Sequence, residues 1–478
     1  MLRAAVFALL FASALSPQIS VDALRLEAIL PGRAFAPRER VIVQFAITNR
    51  SQRHLSVPDP SRGPALRVRL RTPAGEKHFS IAEAAHEPGV PDIPANWQMP
   101  PGARRVFEFD VAALARVAAT GSYAVTLDYQ MPGAALWKSP EMSFAIAPAA
   151  GAFLEVVESE SSRKGPYSLL WTEREGASAR VLLLPLAMTA ELREVWGATA
   201  LGRVPAGSAP ALSVSPPGQD FPDRWLVWTE GPQLRYLYWA RDPSAALPPA
   251  GIPAQAEARL VRPPLADAPP ASGRPACHVA WLSRARLQRA VIEGGGKVRM
   301  LPPVALGGEA VNAWAVSPRA GERLYVIAFQ AGDQSRVESI RCRGETCSAP
   351  VVRFRLPGRV EAGDLRMAGP DAVAAFALSR PSGWVRVTLR LVEGAVPRTE
   401  ALPPVPAVER ASIALDAAGA APLVLADKGQ FLYFRPGSNA PARIPRKGSL
   451  FGLLPGSAGL ELVVYDSEHG PEFVALPR

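Results

Sequence analysis

Along the last two-thirds of the chain, apolar residues fall in short runs of strand length. Each run ends on a large or apolar residue, turns on polar residues or glycine, and is followed by a second apolar run. Seven copies are visible: Leu169-Leu170-Trp171, Leu226-Val227-Trp228, Val279-Ala280-Trp281, Ile327-Ala328-Phe329, Ala374-Ala375-Phe376, Val424-Leu425-Ala426 and Val463-Val464-Tyr465. Their last residues are 39 to 57 positions apart, with a mean of 49. Self-similarity at that period predicts a β-propeller, in which each blade is one small antiparallel sheet. The copies give a seven-bladed β-propeller over residues 153–478, with six and eight as the neighbouring counts.

An outer run precedes several of the copies. Ala211 to Pro216 and Ala313 to Pro318 both alternate and end in Val-Ser-Pro, the pattern expected of an innermost strand and its exit turn; Ser412 to Asp416 holds the same place in a later copy. Between the second and third copies, Asp242 to Pro275 carries Pro248-Pro249, Pro263-Pro264 and Pro269-Pro270. Paired prolines are foreign to a central strand, so most of this stretch is expected to be a surface excursion. Glu472 to Leu476 is the last strand available to close the ring by pairing.

Residues 24–148 follow a different pattern. Leu24 to Ala28 alternates with period two, Val41 to Ile47 is a second strand, and further strands fall at Leu66 to Arg71, Arg105 to Phe109, Tyr123 to Tyr129 and Glu141 to Ile146. Short strands with Pro/Gly punctuation predict a β-sandwich, with one or two helical turns over Asp110 to Ala118 and a linker at 149–152. Pro100-Pro101-Gly102 ahead of one strand and Gly121-Ser122-Tyr123 opening the next resemble the end of many bacterial immunoglobulin-like domains. The resemblance implies an all-β N-terminal domain and no particular function.

The repeat region in turn resembles secreted bacterial propellers of the sialidase-repeat type. Ser412 to Val424 has the style of their inner strand, Asp/Gly turn and second strand. The full Asp-box is absent: Gly419 falls three residues after Asp416 rather than two, and no Trp follows at the matching place. The resemblance therefore implies the fold without carrying glycosidase activity with it.

The N-terminus bears on compartment. Arg3 precedes an apolar run from Ala4 to Leu15, Pro17 breaks it, and Val21-Asp22-Ala23 offers small residues for cleavage. This is the layout of a signal peptide over residues 1–23, cleaved after Ala23, which predicts a periplasmic or secreted protein. As a helix the run reaches only about 18 Å, against roughly 30 Å of hydrocarbon, so it is too short for an anchor. No Cys follows it, which argues against a lipoprotein, and no other stretch approaches a membrane span.

Charge and cysteine usage refine that picture. The formal charge is +10, and 47 of the 53 basic residues are arginine. They are scattered with no Lys/Arg-rich run, so no nucleic-acid partner is expected, although an anionic cell-surface polymer is compatible with the charge. Cys342 and Cys347 sit at the two sides of a Gly-containing link between strand-like runs, where an oxidising compartment joins them in a disulfide. Cys277, inside an apolar strand, is expected to be a buried free thiol.

Catalytic patterns are missing. The five histidines (His54, His78, His86, His278, His469) are dispersed without metal-ligand spacing, and no nucleophile elbow, P-loop or HExxH occurs. Gly294-Gly295-Gly296-Lys297 reads as a hairpin turn between two apolar runs. Asp333, Asp371, Asp416, Asp427 and Asp466 flank repeat strands, where such residues bond their own backbone, and Trp171, Trp228 and Trp281 read as packing aromatics. No catalytic residue, cofactor or metal is assigned. The sequence favours a monomeric, non-catalytic exported protein binding a protein or glycan at a propeller face. Two alternatives stand beside it. One is a glycoside hydrolase or lyase using funnel carboxylates. The other is a protease-inhibitor-like sandwich whose loop from Arg50 to Pro64 enters an active site.

Overall fold

The computed structural model describes residues 23–62, 65–81, 96–117, 119–131, 136–161, 165–186, 197–215, 223–239, 249–254, 258–267, 275–293, 296–405, 407–416, 418–445, 448, 450–456 and 459–476. The predicted export signal, His86 and parts of the Pro-rich stretch lie outside them. The protein is all-β among the described residues, apart from a single-turn helix at Val111–Leu114. It divides into two compact units, residues 1–36 with 40–147, and residues 37–39 with 148–478.

In the first unit, a three-stranded sheet (Leu24–Ile29, Ile42–Asn49, Arg104–Asp110) faces a larger one built on Gly121–Tyr129. Alternating positions from both sheets, among them Val43, Phe45, Val68, Val125 and Leu127, form one core. All six strands read from the sequence are present, because each alternates apolar and polar residues about that single core. The Asp110 side chain accepts from the Ala112 and Ala113 amides and so starts the one helical turn. Gly102 (φ +74°) makes the turn before one strand, and Gly121 opens the next. Of the Arg50 to Pro64 segment, the described part up to Arg62 is not a free arm: Leu55–Pro58 pairs with Asn96–Met99, and Val57 is fully buried.

The second unit is a succession of seven antiparallel sheets among the described residues, each following the last along the chain. All seven sequence copies fall on the second strand of a sheet: Gly165–Glu175, Arg224–Glu230, Ala276–Ser283, Glu322–Ala331, Asp371–Arg380, Leu423–Asp427 and Gly459–Asp466. The reason is packing. A second strand lies between two paired neighbours and has another sheet against each face, so both of its side-chain rows are apolar. Leu226 and Trp228 face the first sheet's core, whereas Trp225 and Val227 face the third sheet's. The same alternation continues between sheets three and four, four and five, five and six, and six and seven. This stacked arrangement is that of a propeller.

Three expectations are corrected. Pro263-Pro264 does not lie in a surface excursion. It interrupts the innermost strand of sheet three, leaving Arg259–Leu260 and Leu265–Ala266 as separate short pairings on Ala276–Ser283. Ala250–Pro253, from the same stretch, is the outer strand of sheet two. Ser317 and Pro318 continue the inner strand of sheet four, Ala310–Arg319, instead of turning.

Closure by strand pairing is the third. Gly470–Ala475 pairs with Gly459–Asp466, and Gly151–Ser161 pairs with Gly165–Glu175; among the described residues no sheet contains strands from both ends of the unit. Sheets seven and one meet instead through side chains and a backbone bond beside them, Ala149 N to Ser467 O at 2.9 Å. At that seam Glu173, 1% exposed, accepts from Trp171 Nε1 at 2.9 Å and from the Tyr465 hydroxyl at 2.8 Å. Burial pushes the Glu173 carboxyl up to about 7, against the pull of those two hydrogen bonds and of Arg180.

Candidate functional site

The inner strands of the seven sheets converge on one cavity of about 480 Å³. Each sheet contributes to its wall: Glu155 from the first, Leu212 from the second, Arg262 beside the third, Trp314 from the fourth, Asp364 from the fifth, Arg410 from the sixth and Phe451 from the seventh. A ring built this way brings distant residues together. Glu155 and Arg262 are 107 positions apart, yet Arg262 Nη1 donates to Glu155 Oε2 at 2.8 Å.

The wall is aromatic and charged. Trp314 packs edge-on to Phe376 with ring centroids 5.4 Å apart, and its indole lies over Gly363, where a Cβ would come within 2.4 Å of the ring. That close approach explains the glycine in an inner strand. The Arg262 guanidinium sits 4.8 Å over Phe153, that of Arg366 sits 5.8 Å over Tyr167, and that of Arg410 sits 5.6 Å over Phe451.

Among the described residues two carboxylates line the cavity, and each pairs with an arginine. Asp364 accepts at Oδ2 from Arg366 Nε (2.9 Å) and from the Leu415 amide (2.8 Å), and at Oδ1 from the Leu365 amide (3.0 Å). Glu155 is held by Arg262. A general acid needs a proton to give and a general base needs a free lone pair aimed at substrate. Carboxylates fixed to guanidinium and amide donors are poorly suited to either role.

The residues singled out from sequence lie elsewhere. Trp171, Trp228 and Trp281 are buried between sheets. Asp416 Oδ1 accepts from the Ala418 and Ala420 amides, Asp427 Oδ1 from the Lys428 amide, and Asp466 Oδ1 from the Glu468 and His469 amides, so these three serve their own turns. Asp371 pairs with Arg390, and Asp333 is exposed at a hairpin. Of the Gly294–Lys297 turn, Gly294 and Gly295 lie outside the described residues; on either side of them the Glu293 amide donates to the Lys297 carbonyl at 2.8 Å. Cys342 and Cys347 face each other across a short antiparallel pair and form a disulfide, and Cys277 is a buried free thiol.

His278 belongs to a second polar cluster. Its Nε2 meets Asp267 Oδ2 at 2.9 Å, and Arg323 Nη2 bonds the same carboxylate. Burial works to raise the Asp267 pKa, and the His278 and Arg323 contacts overcome it, holding the group below its ordinary value. Every member has a partner, so the cluster reads as structural. Among the described residues no three His, Cys, Asp or Glu side chains gather as a metal site. No described helix is long and apolar enough to cross a membrane.

Sequence reasoning missed Glu155, Asp364 and Arg410. Each lies in an inner strand, and its place in the wall is set by ring geometry between chain-distant sheets, for which local sequence has no signal.

No protein-family model matches the chain, and no curated protein matches it. Solved structures with a similar fold include the six-bladed β-propeller lectin of Aleuria aurantia, at 10% identity over 61% of this chain and 94% of that one, with a TM-score of 0.40. The Dos1 propeller aligns at 8% identity over 74% and 89%, TM-score 0.38. The NanB sialidase of Streptococcus pneumoniae aligns at 8% identity over 80% of each chain, TM-score 0.31. At these scores the likeness is too loose to carry over a site or an activity.

Proposed function

We propose that the chain is an exported, non-catalytic binding protein: a cleaved signal peptide, an immunoglobulin-like sandwich and a seven-bladed propeller that takes its ligand, protein or glycan, at one face of the ring. The observation that carries this reading is the state of the channel. Its wall is shaped and polar enough to hold a ligand, yet both of its carboxylates are spent on arginine. Binding needs only complementary groups, whereas hydrolysis of a glycoside needs a matched acid and base. A disulfide in the fourth sheet supports passage through an oxidising compartment, in the periplasm or beyond.

A glycan array and a panel of chromogenic glycosides, run on the mature protein, test the proposal. Binding without turnover is the expected result. Ser412 lines the channel. Ser412→Phe, which fills that space, should abolish binding while leaving the fold intact by circular dichroism. Turnover of any glycoside, lost in Glu155→Gln or Asp364→Asn, would show the protein to be an enzyme.

A further inference from the structure

Of the three guanidinium groups in the channel wall, two are matched by carboxylates and one is not. Arg262 holds Glu155, and Arg366 holds Asp364. Arg410 is part-buried and has no hydrogen bond or ion pair among the described residues; its contact is the face of Phe451. Counted over the described residues that line it, the wall carries one positive charge in excess. A guanidinium removed from bulk water without a counter-ion is costly, and burial lowers the pKa of Arg410. An anion arriving beside it removes that cost.

The neighbours narrow the class. Ser412 lies two residues along the same strand, hence on the same face as Arg410, and its hydroxyl has no partner among the described residues. Asn312 spends its carbonyl oxygen on the Ala313 amide, which leaves its amide hydrogens for a ligand. The cavity is of small-molecule size, far below a folded partner's footprint. One excess charge suits a singly charged carboxylate, whose two oxygens match the guanidinium fork, better than a doubly charged phosphate. From this we infer that the channel is a site for a hydroxylated carboxylate of monosaccharide size, a uronic acid residue, seated on Arg410 with its hydroxyls towards Ser412 and Asn312. The inference rests on the binding reading above and names the chemistry of that same site.

Calorimetric titration of the mature protein with D-glucuronate and D-galacturonate, against D-glucose, D-galactose and inorganic phosphate at matched ionic strength, is the test. The uronates should bind at least 10-fold more tightly than the neutral sugars, and the affinity should fall as NaCl is added. Arg410→Gln should weaken uronate binding about 10- to 100-fold. Should that variant fail to fold, Arg410→Lys keeps the charge but loses the fork, and a drop of about 10-fold is expected of it. No uronate binding, equal binding of acids and neutral sugars, or tighter binding of phosphate would overturn the inference. If Ser412→Phe blocks uronate while Arg410→Gln does not, the channel stays the site and its charge selectivity falls. If uronate binding survives Ser412→Phe, the channel reading itself falls.

Discussion

Phe376→Ala should cost about 3–5 kcal/mol in denaturant unfolding of the propeller unit, the range for emptying a large aromatic site in a core that cannot collapse. Phe376 is fully buried in the second strand of sheet five. Its ring meets Trp314 at 5.4 Å and Phe354 at 5.5 Å, both edge-on, so its removal leaves two aromatic partners facing a void. Trp314 is also part of the channel wall, so ligand binding should weaken in the same variant. Phe376→Leu, which keeps most of the volume, should cost well under half as much. Val396→Ala, at an 84% exposed position, should leave stability within about 0.5 kcal/mol of the parent. Equal stability of Phe376→Ala and the parent would show that sheets four and five do not share a packed interface.

The second large effect is pH dependence at the seam. Glu173 titrates near 7 in the folded protein because burial disfavours its charge, against an ordinary value of 4.5. Its folded-state pKa is thus raised, and the folded state binds the extra proton. The stabilisation is fully present below about pH 4.5, is lost as pH rises through 7, and is gone above that. Its full size is about 3 kcal/mol. Glu173→Gln keeps an acceptor for Trp171 and Tyr465 and cannot ionise, so it should match the parent near pH 4.5 and exceed it near pH 8. The difference between the two melting curves isolates this group from other titrating residues. A difference that stays constant from pH 4.5 to 8 would contradict a carboxyl held neutral at the seam.

What was legible in the sequence follows from where side chains pack. The second strand of each sheet is enclosed on both faces, and Leu226-Val227-Trp228 or Ala374-Ala375-Phe376 has no polar alternation to blur the signal. The outer strands were harder. Thr199–Pro205 has one wet face and a mixed pattern with no readable signal, and of Val298–Ala305 only the opening run after the Gly-rich turn is legible. The innermost strand of sheet three was read as loop because paired prolines usually exclude a strand; here the strand is broken at them and two short pairings survive on either side. The channel was illegible for another reason. Asp364 meets the backbone of Leu415, 51 positions away, and such a meeting is decided by the closing of the ring.

The seam between sheets seven and one, which shares no strand, has a mechanical consequence. In a ring closed by an exchanged strand, a force on either terminus is borne by a ladder reaching across the closure. Here a pull on the C-terminus first loads the pairing of Gly470–Ala475 with Gly459–Asp466 and the packing of Val474 beneath it, and rungs at the end of that ladder break one after another. Tension applied there peels the last strand at low force and then exposes sheet seven, whereas the interior sheets, gripped on both faces, yield later.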